Sequence, residues 1–221
     1  MPVDQPLYPV NLLVAGRRCL VVGGGRVAAQ KAAGLLEAGA RVHVVGTRVG
    51  DEVRALPNHD SMLTWIEHPY TRADLQVGEP ERRFWLVITA TDDPAVNRQV
   101  ATDATLEHLW VNSADDPANC SFILPSRIRQ GPLLVTFATG GASPAVATWL
   151  RRTFSEEFGP EYATLIDMLA AARDEIVASG RSTEGLDWQG ALDSGMLDLI
   201  RGGNLAEAKE RLQACLSSSS E

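Results

Sequence analysis

A short apolar strand, Cys19-Leu20-Val21-Val22, runs directly into Gly23-Gly24-Gly25 and then into Arg26-Val27-Ala28-Ala29-Gln30-Lys31-Ala32-Ala33-Gly34-Leu35-Leu36, a stretch with helical spacing of its apolar residues. A chain that passes from strand to helix through three glycines presents the free N–H groups of a helix start, and the positive end of its dipole, to an anion lying over the turn. In this reading Gly23 makes the tight turn, Gly25 admits close approach of a pyrophosphate, and Ala28 keeps the helix close to the strand. Gly23, Gly24, Gly25, Arg26, Val27 and Ala28 are therefore candidate dinucleotide contacts.

The pattern that follows extends this beginning into a sheet. Gly39 ends the helix, Arg41-Val42-His43-Val44-Val45 predicts a second strand, and apolar runs at 62–66 and 84–90 predict a third and fourth. A helix over 94–107 and a fifth strand at 109–112 complete a βαβ rhythm, which implies a parallel sheet covered on both faces. The character changes after that. Extended apolar stretches at 121–128 and 132–138, with Arg129-Gln130-Gly131 between them, predict a hairpin. Ser143-Pro144 reads as an N-cap followed by proline at the first helical position, opening a helix to about Phe158. Further helices are expected over 162–179, 187–200 and 205–216. The expected fold class is α/β, a Rossmann-like parallel sheet (1–115), then a small β-containing dimerisation segment (116–145) and a C-terminal helical domain (146–216), with 217–221 as a disordered tail.

Composition narrows the partners. The formal net charge is -8 with no long basic block, which argues against a nucleic-acid or membrane-surface footprint. Cys19, Cys120 and Cys215 are far apart and lack Cys-x-x-Cys spacing, so neither a disulfide framework nor a zinc site is suggested. His43, His59, His68 and His108 offer no metal-ligand spacing either, and no resident metal is expected. Without a signal-like start or a membrane-length apolar run, a cytoplasmic location is expected.

Ligands of open parallel sheets bind beyond the carboxyl ends of the strands, so the loops there carry the candidate chemistry. After the second strand the usual ribose-binding acid is missing; Val45-Gly46-Thr47-Arg48 stands instead, where Thr47 meets a ribose and Arg48 is either plain surface or a partner for a 2′-phosphate. After the fourth come Ala90-Thr91-Asp92-Asp93-Pro94, small residues past which a cofactor can run, with Asp92 or Asp93 capping the next helix. After the fifth comes Asn112-Ser113-Ala114-Asp115-Asp116-Pro117, a turn signal in itself.

Five motifs stand in order from Gly23 to Pro144: Gly-Gly-Gly-x-Val-Ala-x-x-Lys, Ala-Thr-Asp-Asp-x-x-Val-Asn, Val-Asn-x-x-Asp, Ser-Phe-Ile-x-Pro-Ser and Gly-Gly-x-Ser-Pro. This series resembles the precorrin-2 dehydrogenase/sirohydrochlorin ferrochelatase family, including the amino-terminal half of siroheme synthase, over roughly two thirds of the chain. The resemblance implies NAD as cofactor, oxidation of precorrin-2 to sirohydrochlorin, ferrous iron as a further substrate for chelation to siroheme, and a homodimer joined through the segment after the nucleotide domain. It carries the family's key aspartate to Asp115, the cofactor contacts to Gly23–Ala28 with Thr47, Ala90, Thr91 and Asp92, and the substrate contacts to Asn112, Ser126, Arg127, Thr139, Gly140 and Ser143. Where the family can carry a regulatory serine this chain has Thr139. A polycarboxylate substrate on an acidic chain needs local cations, for which Arg127, Arg129, Arg151 and Arg152 are candidates. Asp116 is the natural control for Asp115, because neighbours on an extended segment point to opposite sides. A short-chain dehydrogenase is disfavoured, since Tyr8, Tyr70 and Tyr162 all lack Tyr-x-x-x-Lys. A nonenzymatic NAD-sensing regulatory domain is the alternative.

Overall fold

The computed structural model describes residues 6–58, 61–75, 83–114 and 116–218. The chain divides into two compact units, Met1–Leu124 with Gly140–Ala142, and Pro125–Thr139 with Ser143–Glu221.

The first unit is built on five parallel strands, β1 (Arg18–Val22), β2 (Arg41–Gly46), β3 (Leu63–Glu67), β4 (Leu86–Thr89) and β5 (Trp110–Ser113), in the order β3-β2-β1-β4-β5. The first and fourth strands flank each other at the point where the order reverses, the crevice in which such sheets bind ligands. Residues Leu20 and Val22 face one apolar cluster, Cys19 and Val21 the other, so β1 is covered on both sides, as its unbroken apolar run requires. Helix α1 (Arg26–Glu37) buries Ala28, Ala29, Ala32 and Leu35, a single face whose small side chains let the helix lie close to the sheet. It ends where Gly39 takes a left-handed φ of 78° and the N–H groups of Ala38, Gly39 and Ala40 turn back to the carbonyls of Leu35 and Leu36. A short helix α2 (Asp51–Arg54), absent from the sequence-based expectation, follows β2. Helix α3 (Pro94–Leu106) is capped by Asp93, whose carboxylate accepts the Ala95 N–H at 2.8 Å, with Pro94 at its first position.

The second unit holds the antiparallel hairpin of β6 (Ser126–Gln130) and β7 (Leu133–Phe137), then α4 (Pro144–Phe154), α5 (Glu161–Ala178), α6 (Trp188–Asp193), α7 (Met196–Arg201) and α8 (Leu205–Ser218). Leu165, Ile176, Met196, Ile200, Ala208 and Leu212 form the core of its helices.

Three expectations need correction. The hairpin begins at Ser126 and turns at Gly131, not across 129–131: Pro125 has no N–H to give a ladder, and residues 121 and 122 bond back to β5. Helix α4 stops at Phe154, short of Phe158, as the Ser155 hydroxyl donates to the Arg151 carbonyl. The helix expected over 187–200 is two, because Gly195 sits at φ 83° and opens the second of them.

Candidate dinucleotide cleft

Three loops at the carboxyl edge of the sheet close on one another around the glycine turn. Gly23, at φ 124°, donates its N–H to the Val45 carbonyl at 2.8 Å, and a Cβ there would lie 2.3 Å from the Ala90 carbonyl oxygen. A Cβ on Gly24 would lie 1.9 Å from the carbonyl oxygen of Arg48, while the Gly24 carbonyl accepts the Gly50 N–H at 2.8 Å. The loops after β2 and β4 thus press backbone to backbone on residues 23 and 24, which only glycine permits. Gly25 differs: nothing stands within 4 Å of its added Cβ.

Gly25 is also the N-cap of α1, and no side chain caps the helix. The N–H groups of Arg26, Val27 and Ala28 therefore lack partners within the helix, and its first turn holds no acidic residue to compete for them. This open, positively polarised helix start fits the pyrophosphate of a dinucleotide. Ala28 is fully buried against the sheet and Val27 is exposed.

The flanking loops are locked by Glu67 and Arg54, which the sequence reading did not single out, and by Asn97, the last residue of the second of the five motifs, to which it assigned no role. Beyond β2, Thr47 and Arg48 are exposed. The loop is held from β3 by Glu67, whose Oε1 accepts the Val49 N–H at 2.8 Å and an Arg54 N–H at 2.9 Å, while Arg54 also donates to the Val49 carbonyl at 3.1 Å. That backbone N–H, followed by Arg54, holds the Glu67 carboxyl below the usual range. Beyond β4, the buried Asn97 of α3 is the fastener: its Oδ1 accepts the hydroxyl of Thr89, the N–H of Thr91 at 3.2 Å and the hydroxyl of Thr91 at 2.7 Å, and its Nδ2 donates to the Thr91 carbonyl at 3.0 Å. Ala90 and Thr91 are fixed in place by these bonds, whereas Asp92 is exposed beside them and Asp93, not Asp92, caps α3.

Beyond β5 the Ala114 N–H donates to the Thr89 carbonyl at 2.9 Å. Asp115 lies outside the described residues. Asp116 caps a 3-10 turn (Pro117–Asn119), one oxygen accepting the Ala118 N–H at 3.2 Å and the other the Asn119 side-chain N–H at 2.8 Å. Cys120 clasps the loop: its sulfur accepts the Ser113 N–H at 3.1 Å and faces the Ser113 and Asp116 carbonyls at 3.3 and 3.4 Å. Burial raises the thiol, and the hydrogen bond from the Ser113 N–H partly opposes the rise. Asn112 is buried and donates to the Phe122 carbonyl at 3.0 Å, and the buried hydroxyl of Ser113 has no hydrogen-bond partner among the described residues. Nothing in the local sequence marks Cys120 or Asn97 for these duties, since their partners lie across a loop or on another element.

In the second unit Ser126 is half-buried and Arg127 exposed on β6. Ser143 caps α4 by accepting the Val146 N–H at 3.3 Å, and the Thr139 hydroxyl accepts the Ser143 N–H at 3.2 Å. Gly140 and Gly141, at φ 60° and 77°, make the turn between them. Arg151 and Arg152 occupy the last turn of α4, where they complement its dipole. Among the described residues, no group of three or more His, Cys, Asp and Glu gathers in a way that would hold a metal ion, and no helix is long and apolar enough to cross a membrane.

Residues 10–126 match a family model described as putative NAD(P)-binding. The chain belongs to the putative NAD(P)-binding family. It is 34% identical over 212 residues to a siroheme synthase of Nitrosococcus oceani, covering 94% of this chain and 43% of that protein. It is 36% identical over 212 residues to the siroheme synthase of Thioalkalivibrio sulfidiphilus, covering 95% and 42%. The chain spans less than half the length of these curated relatives. Among solved structures it is similar to SirC, precorrin-2 dehydrogenase, with a TM-score of 0.72 and 26% identity over 95% of this chain and 98% of that one. The resemblance carried by the five motifs and the Rossmann-like parallel sheet are both borne out by these matches.

Proposed function

We propose that the chain oxidises precorrin-2 to sirohydrochlorin with NAD, a step of siroheme biosynthesis, with Asp115 as the proton acceptor. The observation that carries the reading is the backbone-locked cleft at the carboxyl edge of the sheet, with an uncapped helix start at its floor, in a chain similar from end to end to a precorrin-2 dehydrogenase.

When bound, the nicotinamide supplies the electron acceptor for the oxidation. The chain's own contribution is to hold the pyrophosphate on the N–H groups of residues 25–28, to line the path of the cofactor with Thr47, Ala90, Thr91 and Asp92, and to take up the proton that the tetrapyrrole loses. Asp115 is assigned that proton because the adjacent carboxylate is engaged: both oxygens of Asp116 hold its own turn. Ala114 is anchored to the Thr89 carbonyl, and Cys120 ties the chain back to Ser113. The same carboxylate serves for the protons expelled from pyrrole nitrogens when ferrous iron, as substrate, is inserted to give siroheme.

Substrate carboxylates are assigned to Arg127 and Arg129 on β6 and to Arg151 and Arg152 on α4, with Asn112, Ser126, Thr139, Gly140 and Ser143 as the polar contacts. A cytoplasmic homodimer is part of the proposal. Its support is physical: the two-stranded sheet of β6 and β7 leaves one edge of each strand unpaired among the described residues, and α4 exposes Val146, Trp149 and Phe154. The test is anaerobic incubation of the purified chain with precorrin-2 and NAD, followed optically. Formation of sirohydrochlorin is expected; NAD binding without any oxidation would leave the sensing reading instead.

A further inference from the structure

The loop after β2 lacks an acid where a dinucleotide's adenosine ribose would pass, and carries an arginine. An acid at the end of this strand selects NAD by accepting the ribose 2′-hydroxyl and repelling a 2′-phosphate; a nearby arginine does the reverse. Here the strand ends in Val45-Gly46, followed by the exposed Thr47 and Arg48. The next acids, Asp51 and Glu52, belong to the first turn of α2.

The position of Arg48 is fixed by its backbone. Its carbonyl oxygen is the atom that a Cβ on Gly24 would strike, so residue 48 sits directly against the glycine turn. Val49 is pinned by Glu67 and Arg54, and Gly50 donates to Gly24, which holds the loop from both sides. Oε1 of the nearby Glu67 carboxylate accepts the Val49 N–H and an Arg54 N–H, the ion pair with Arg54 being 2.9 Å long. Arg48 acts on Glu67 only through its charge, as the smallest of the effects there, and among the described residues its guanidinium makes no hydrogen bond to a carboxylate. Arg48 and Arg54 thus stand at this edge with Glu67, and the carboxylate of Glu52 lies beside Gly50 further along the loop.

The geometry points to a chain that accepts NADP as well as NAD, with Arg48 as the side chain that grips the adenosine 2′-phosphate. Guanidinium is suited to the task, since its fork matches phosphate oxygens in pairs. The inference rests on the dinucleotide reading of the cleft and adds to it the residue that sets cofactor choice.

The experiment is calorimetric titration of the full chain with NAD and with NADP, repeated for Arg48→Ala and Arg48→Glu, with 2′-AMP and 5′-AMP as fragments that isolate the phosphate. The expected result is NADP affinity within tenfold of NAD in the unaltered chain. Arg48→Ala should weaken NADP and 2′-AMP at least tenfold and change NAD and 5′-AMP less than twofold, with Arg48→Glu weakening NADP further. Raising salt should narrow the effect, as expected for an exposed charge. Because the side chain is exposed, the melting temperature should not move. NADP binding more than tenfold weaker than NAD, or an Arg48→Ala change that moves both dinucleotides alike, would overturn the assignment and leave the NAD reading standing. Failure of both dinucleotides to bind would overturn this assignment and the dinucleotide reading together.

Discussion

Replacing Gly24 and Gly25 one at a time with alanine separates the two duties of the glycine turn. In Gly24→Ala the new Cβ would lie 1.9 Å from the Arg48 carbonyl oxygen, 2.8 Å from its carbon and 2.9 Å from the Val49 Cα, all backbone atoms that cannot swing aside. Reaching even 3.0 Å from that oxygen means displacing the loop by roughly 1 Å, against the bonds from Glu67 and Arg54 that hold it. Overpacking of this kind costs about 1–3 kcal/mol, and a rigid backbone obstacle belongs at the upper end, about 3 kcal/mol. For a protein of this size that corresponds to a fall in melting temperature of about 6–12 °C. Gly25→Ala has nothing within 4 Å and a backbone at φ -90°, ψ -171° that alanine adopts freely, so it should cost about 1 kcal/mol or less, the loss of glycine at an N-cap. Its methyl group enters the open space above the helix start and should weaken NAD binding at least tenfold. Urea denaturation and NAD titration of both variants give the test. Equal destabilisation by the two, or a Gly24→Ala protein within about 0.5 kcal/mol of the unaltered one, would refute the packing argument.

Asn97→Ala strips the Thr91 N–H and carbonyl and the buried Thr89 hydroxyl of their partner; a loss of about 2–4 kcal/mol in denaturant unfolding is expected, and less than 1 kcal/mol would mean that Asn97 does not fasten the loop. Burial pushes the Cys19 thiol from 9.0 up to about 12. The folded state therefore holds this proton where the unfolded chain has lost it, so stability should be intact below pH 9 and decline above it by up to about 1.4 kcal/mol per pH unit until pH 12; Cys19→Ala should flatten that decline in a pH series of unfolding curves, and an unchanged slope would refute the linkage. The exposed stripe of Val146 and Trp149 predicts that Trp149→Glu shifts sedimentation toward a monomer, and an unaltered profile would remove α4 from the interface.

Local signals were readable where the physics is local. The glycine turn, the doubly covered β1 and β4, and the Asp93-Pro94 and Ser143-Pro144 caps each depend on a few adjacent residues, and each element stands within a residue or two of its expected start. What escaped depends on partners far along the chain. Glu67 looks like an ordinary strand end until β3 is laid beside β2 and its carboxylate meets Val49, and Cys120 looks like a lone thiol until its loop folds back on Ser113. The break at Gly195 was missed because an apolar pattern continues through it, and only the left-handed backbone there divides α6 from α7. Gly24 shows the same limit: three glycines in a row announce a turn, but which of them is crowded and which is open is decided by the loops after β2 and β4.

The most direct test of the proposed chemistry is anaerobic single-turnover oxidation of precorrin-2 with NAD by the unaltered chain, Asp115→Asn and Asp116→Asn, with NAD affinity measured alongside. Loss of the proton acceptor should slow Asp115→Asn at least about a hundredfold while NAD affinity stays within threefold, and Asp116→Asn should keep most of its rate. An Asp115→Asn protein that turns over at close to the normal rate would contradict the assignment of the proton to that carboxylate.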